Sequence, residues 1–173
     1  FLLHDDGSWS KSKGDEDVKF NLNGSDRVIT RSLQNWHTHL AMILNRGTGE
    51  DLPLQRWLNE IVFPTEKKLT SELVELGTKA SCAELIATGT TFACDMYYFP
   101  KQMASGMIEA GIRGIAGGTV TDFPTTSYPK GATQATNDLD NLLKEGTGNS
   151  RVEYAVAPHA IYTCGKETLM KSS

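Results

Sequence analysis

An ordered alternation of strand-like and helix-like segments from residue 28 onward limits what this chain can fold into more than any other feature. Val28-Ile29 and then Leu33-Gln34-Asn35-Trp36-His37 read as an extended strand feeding a loop at Asn45-Arg46-Gly47. Leu54, Trp57, Leu58, Ile61 and Val62 are spaced three and four apart, with Pro53 where a first turn tolerates it, and predict a short amphipathic helix over 53–63. Thr70-Ser71-Glu72 resembles a cap, and Leu73, Leu76, Ala80, Ala83, Leu85, Ile86 and Ala87 carry a longer stripe that stops at Thr88-Gly89. The β-branched and aromatic run Thr90 to Tyr97 predicts a strand, Lys101 to Ala110 a helix, and Ile112 to Val120 another apolar strand. Asn137 to Leu143 returns to helical spacing, Arg151 to Ala157 alternates as a fourth strand, and a helix begins before the last residue. Strand and helix in strict succession are the grammar of a parallel α/β sheet with right-handed crossovers. An eight-unit barrel needs about 250 residues, so four βα units make either half of such a barrel or a small open sheet.

Residues 1–30 differ. They are polar, with the acidic cluster Asp15-Glu16-Asp17, the turn signal Asn23-Gly24-Ser25 and the short alternation Val18, Phe20, Leu22, which predict part of a small β domain ahead of a second domain at 31–173. A net charge of -4 supplies no basic field for nucleic acid or anionic lipid. No apolar run reaches the roughly 18 residues of a membrane span, and FLLHDDGSW lacks the basic start of a signal peptide, so a cytoplasmic location is expected. Cys82, Cys94 and Cys164 are odd in number and form no CxxC pair, which predicts free thiols. The sequence opens on Phe1 and closes on Lys171-Ser172-Ser173, and both ends read as cut.

His37 and His39 stand two apart at a strand end, and the period-two alternation of a strand sends both imidazoles to one face. Two ring nitrogens so placed can reach one zinc or iron ion; HxH taken alone is a weak signal and more often describes a structural or surface pair. His159, after Ala157-Pro158, lies at the same edge of the sheet, where it serves either a pocket or the local fold. Glu66, after Pro64, reads as a solvated acid in the first turn of a following helix. Asp95, at the end of the second strand, reads as a side chain that ties down backbone groups. Trp57 and the Tyr97-Tyr98-Phe99 cluster read as packing, and Cys164 as an ordinary thiol.

Taken together these residues resemble the amidohydrolase superfamily, in particular the chlorohydrolase and aminohydrolase branch that includes S-adenosylhomocysteine and methylthioadenosine deaminases. The resemblance runs in order through Asn35-Trp36-His37-Thr38-His39-Leu40-Ala41-Met42, Arg46-Gly47, Asp51-Leu52-Pro53-Leu54, Trp57-Leu58 and Pro64-Thr65-Glu66. It continues through Gly89-Thr90-Thr91, Asp95-Met96-Tyr97, Gly111-Ile112-Arg113 and Ala157-Pro158-His159-Ala160-Ile161-Tyr162-Thr163-Cys164. It implies the first four βα units of a (β/α)8 TIM barrel. The implied activity is a hydrolytic deaminase of a purine nucleoside derivative or related N-heterocycle, with metal-bound hydroxide as nucleophile and a divalent ion, zinc with iron as the alternative. His37 and His39 become metal ligands, and Glu66 and His159 become contacts to a small-molecule substrate. Guanine deaminase or chlorohydrolase specificity is a further alternative. The deaminases carry a substrate-contacting Arg where Gly118 stands here, and the family's catalytic residues and remaining ligands fall beyond Ser173. The resemblance therefore implies an active full-length parent with a C-terminal half-barrel. The competing expectation is a truncated, non-catalytic fragment, whose open sheet edges would favour association into homo-oligomers.

Overall fold

Four strands pair in parallel and in chain order: β3 (Leu33–Thr38), β4 (Thr90–Tyr97), β5 (Arg113–Val120) and β6 (Val152–Pro158). The computed structural model describes residues 2–3, 9–10 and 26–173 and divides the chain into two units, 1–31 and 32–173. In the first unit β1 (Leu2–Leu3) pairs antiparallel with β2 (Trp9–Ser10). The expected alternation at Val18, Phe20 and Leu22, the acidic cluster and the Asn23 turn lie outside the described residues.

In the second unit α3 (Ser71–Ala87) links β3 to β4, α4 (Pro100–Ala110) links β4 to β5, and α5 (Ala132–Glu145) links β5 to β6. Each crossover returns to the adjacent strand, so the order never reverses as it does in doubly wound sheets. That is the succession of a (β/α)8 barrel, and it rules out a flavodoxin-like arrangement for these strands. The first strand begins at Leu33, five residues later than the sequence suggests, since 28–32 form no ladder.

Residues opposite one another in the ladders share a face. Ala93, Gly114 and Val152 lie in one row under the helices and are all buried, packed with Val74, Cys82, Met103, Met107 and Ile112. A second cluster joins Val120, Tyr128, Ala135, Leu139 and Leu142 beneath α5. The opposite face, with Phe92, Cys94, Met96 and Ile115, is half-buried. At the β3 margin Trp36 remains 62% exposed while its ring packs 4.6 Å from that of Phe92.

Local chemistry sets the ends of these elements. Thr70 Oγ1 accepts from the Leu73 N–H at 3.3 Å, capping α3 as expected. Gly111, at φ +81°, closes α4 in the left-handed conformation that glycine adopts without a Cβ penalty. The 53–63 prediction falls short in one respect, because the helical path runs on. It passes through α1 (Leu54–Trp57), a π-type turn (Leu58–Val62) and α2 (Phe63–Glu66). Pro64 brings no N–H and would clash with an α-helical carbonyl four residues back. The widened turn, in which the Phe63 N–H reaches Leu58 O, carries the chain past that obstacle. A final helix, α6 (Lys166–Lys171), follows β6.

Candidate active site

All four strands point their C-terminal ends to one rim, and the side chains singled out by the sequence gather there. His37 sits in β3 and His39 one residue beyond it, before a 3-10 turn at Leu40–Asn45. Their ring centroids lie 5.0 Å apart at 83°, so the two imidazoles stay together at the end of a strand inside a parallel sheet. His39 Nδ1 bonds the Met96 carbonyl at 2.7 Å. A carbonyl only accepts, so Nδ1 carries the proton and the Nε2 lone pair is left free to bind a cation.

One pocket brings together His39, Glu66 and His159, walled by Met42, Trp57, Phe63, Tyr98 and Phe123 and floored by Thr119 and Thr121. Glu66, a solvated acid by its neighbours alone and a substrate contact by the resemblance, is the last residue of α2, lines the pocket and is only 8% exposed. The π-type turn extends the helix far enough to swing it inward. Burial pushes its carboxyl above the ordinary carboxylate range, opposed by the Tyr98 hydroxyl, which donates to Oε2 at 3.1 Å. Thr126 Oγ1 donates to the Glu66 carbonyl at 2.8 Å and ties the loop after β5 to the same helix end. A second, wider cavity of about 540 Å³ shares Phe63, Glu66, Tyr98 and Phe123 with this pocket and is edged by Lys67 and Pro124.

His159 is tied to the rim by its N–H to Val120 O at 3.0 Å. The Thr163 hydroxyl donates to Ala160 O at 3.1 Å, so His159 Nδ1 donates to Thr163 Oγ1 at 2.9 Å and Nε2 remains an acceptor. Burial lowers the His159 pKa, and the nearby His39 and His37 rings lower it further, which keeps the ring neutral at physiological pH. Asp95, 1% exposed, ties down backbone as expected, its Oδ1 accepting from Leu40 N–H at 2.8 Å and from Thr38 Oγ1 at 2.7 Å. Trp57, Tyr97 and Tyr98 correct the packing expectation in part: the tyrosines are core residues, yet all three also line the pocket. Thr119, the penultimate residue of β5, and Thr121 and Phe123 just beyond it carried no signal in the sequence, because a threonine in a strand and polar or aromatic residues after one look ordinary.

Gly118 does not face this pocket. A Cβ built there would sit 2.2 Å from Leu139 Cδ2, so the position points at α5, while Thr119 and Thr121 are the residues of this strand end that reach the site.

The donor set fits part of a metal shell. His37 and His39 offer two nitrogens from one strand end, although among the described residues no group of three or more His, Cys, Asp or Glu converges to hold an ion.

Comparison with known proteins decides the family. Residues 28–173 match the Amidohydrolase family. This chain belongs to that family. Among curated relatives the amidohydrolase is 43% identical over 153 residues to 5'-deoxyadenosine deaminase of Methanosphaera stadtmanae, with 87% of this chain and 35% of the relative covered. It is 45% identical over 139 residues to 5-methylthioadenosine/S-adenosylhomocysteine deaminase of Thermodesulfovibrio yellowstonii, covering 80% of this chain and 31% of the relative. The chain thus spans about a third of the length of the curated relatives it matches. Among solved structures it resembles an adenosine deaminase from Xanthomonas campestris with bound zinc, at TM-score 0.77 and 31% identity over 82% of this chain and 32% of that one. A guanine deaminase from C. acetobutylicum shares the fold at TM-score 0.71 and 22% identity, covering 82% of this chain and 35% of that one. Among the described residues no helix is long and apolar enough to cross a membrane.

Proposed function

We propose that these residues form the metal-binding and nucleoside-binding rim of a hydrolytic deaminase acting on an adenosine derivative, completed in the full-length enzyme by a C-terminal half-barrel. The observation that carries this reading is the convergence of His39, Glu66 and His159 on one pocket, with the His37 ring beside His39. Relatives named as deaminases of 5'-substituted adenosines support the substrate class.

His37 and His39 would hold a divalent cation, zinc in the first instance, which when bound supplies an activated water for attack on the purine carbon that bears the amino group. The remaining chemistry assigned here belongs to the protein's own side chains. His159, neutral and with Nε2 as acceptor, orients a polar edge of the ring. Glu66, held by Tyr98, accepts hydrogen bonds from vicinal sugar hydroxyls, and its partly desolvated carboxylate makes those bonds stronger than they would be in water. Trp57, Phe63 and Phe123 exclude water around the base.

The test pairs metal analysis with ammonia release from 5'-methylthioadenosine, S-adenosylhomocysteine, 5'-deoxyadenosine and guanine. The full-length enzyme is expected to retain zinc and to deaminate the adenosine derivatives. His37→Ala and His39→Ala are expected to abolish both properties, and the 173-residue chain alone is expected to show no turnover. Zinc retention unaffected by both histidine substitutions, or activity confined to guanine, would reject the proposal.

A further inference from the structure

The β3–β4 ladder is irregular between Asn35 and Thr38, so regular backbone pairing does not fix the chain where the two histidines sit. His39 itself has φ -132° and ψ 71°, between strand and helix values. Three hydrogen bonds from the end of β4 replace the missing ladder. Asp95 Oδ1 accepts from the Thr38 hydroxyl at 2.7 Å and from the Leu40 N–H at 2.8 Å, and the Met96 carbonyl accepts from the His39 ring at 2.7 Å. Residues 38, 39 and 40 are therefore each held by one of two consecutive residues. From the other side Ser81 Oγ donates to the Leu40 carbonyl at 2.6 Å. Asp95 is 1% exposed, and its Oδ2 has no hydrogen-bond partner among the described residues, so one oxygen of this carboxylate carries both contacts.

We infer that Asp95 is a positioning residue for His39: its carboxylate grips the residues on either side of the histidine and so fixes the direction in which the ring presents Nε2. The inference rests on the metal-site reading above. Losing a bond that only stabilises the fold would lower the unfolding temperature and leave the affinity of folded protein for zinc unchanged. A bond that aims the ligand controls that affinity.

The experiment measures zinc dissociation constants of the full-length enzyme by competition with a chromophoric chelator, with circular dichroism giving the folded fraction. Asp95→Ala removes both contacts and is expected to weaken zinc binding about 10- to 100-fold, the usual effect of losing a partner that orients a ligand. Asp95→Asn keeps an acceptor oxygen for both donors and is expected to restore affinity to within about threefold of wild type, since two acceptor contacts survive. Thr38→Val removes one contact with little change in volume and is expected to fall between the two. Wild-type affinity in folded Asp95→Ala would overturn the inference, as would Asp95→Asn binding as weakly as Asp95→Ala. If Asp95→Ala does not fold, Thr38→Val decides, and unchanged affinity there overturns it. A wild-type enzyme that binds no zinc would instead strike at the proposed function.

Discussion

Replacing Gly118 by alanine tests whether position 118 serves the pocket or the core. The added Cβ would lie 2.2, 3.0 and 3.1 Å from Leu139 Cδ2, Cδ1 and Cγ, all from a side chain that is 0% exposed. Leu139 cannot retreat freely, because Val120, Tyr128, Ala135 and Leu142 surround it in the same cluster. The backbone of Gly118 is not among the glycines at positive φ, so alanine meets no conformational barrier and the clash sets the sign. Overpacking of this kind costs about 1–3 kcal/mol. Leu139→Ala alone opens a cavity and costs about 2–5 kcal/mol. In the double variant the alanine methyl occupies space that Leu139 vacated, so the clash disappears. The combined loss should then fall short of the sum by about 1–3 kcal/mol, the scale of coupling expected between touching residues. Equilibrium urea unfolding of the four species closes the cycle, and steady-state kinetics of the full-length enzyme should show KM unchanged by Gly118→Ala. Additive losses, or a shifted KM with unchanged stability, would refute the assignment of this position to the α5 interface.

Thr70→Ala should cost toward the lower end of the roughly 0.5–2 kcal/mol range for an N-cap, given the 3.3 Å bond to Leu73 N–H, and denaturant midpoints will show it. Burial raises the Asp95 carboxyl from 3.8 to about 6, so the folded state prefers it protonated. The Asp95 contribution to the stability of the metal-free chain should be full below the ordinary value, decline as pH rises from 4 through 6 by about 3 kcal/mol, and then level off, and Asp95→Asn should remove this share of the slope in urea titrations run across that window, leaving the parts from Glu66 and His159. Glu66→Gln should lower kcat/KM for a nucleoside roughly 10- to 150-fold, from loss of charge-assisted bonds worth about 1.5–3 kcal/mol, and should leave a free-base substrate nearly unaffected. An equal loss on both substrates would contradict a sugar-binding role. Cys82, fully buried and with its thiol pushed up to about 12, should resist alkylation until the chain unfolds, as mass spectrometry of iodoacetamide-treated protein will show.

The parallel sheet was legible from periodicity because its strands and helices differ in period. The run Thr90–Tyr97 forms β4 with the bounds expected from β-branched and aromatic residues, and the stripe from Thr70 to Ala87 forms α3. The α5 start was not legible: Ala132 to Thr136 offers no apolar stripe, yet the helix begins at Ala132 because Gly131 redirects the chain and Ala135 packs inward. Glu66 escaped reading from its neighbours because Pro64 looks like a stop, whereas the i to i−5 turn at Leu58–Val62 lets the helix continue. His37 and His39 were legible as a pair from their spacing of two, and their rings do lie 5.0 Å apart, although His39 sits past the end of β3. What held His39 was not, because the carbonyl of Met96 and the carboxylate of Asp95 lie 57 and 56 positions away in sequence and meet it only through the ladder.

The shared direction of the four strands separates two kinds of change. Phe63 and Phe123 line the pocket from segments that the buried rows of β4, β5 and β6 do not use, so substitutions there change the pocket wall and leave those rows intact. The rim of the pocket can therefore change while Val152 and Leu139 keep the sheet and α5 packed beneath it.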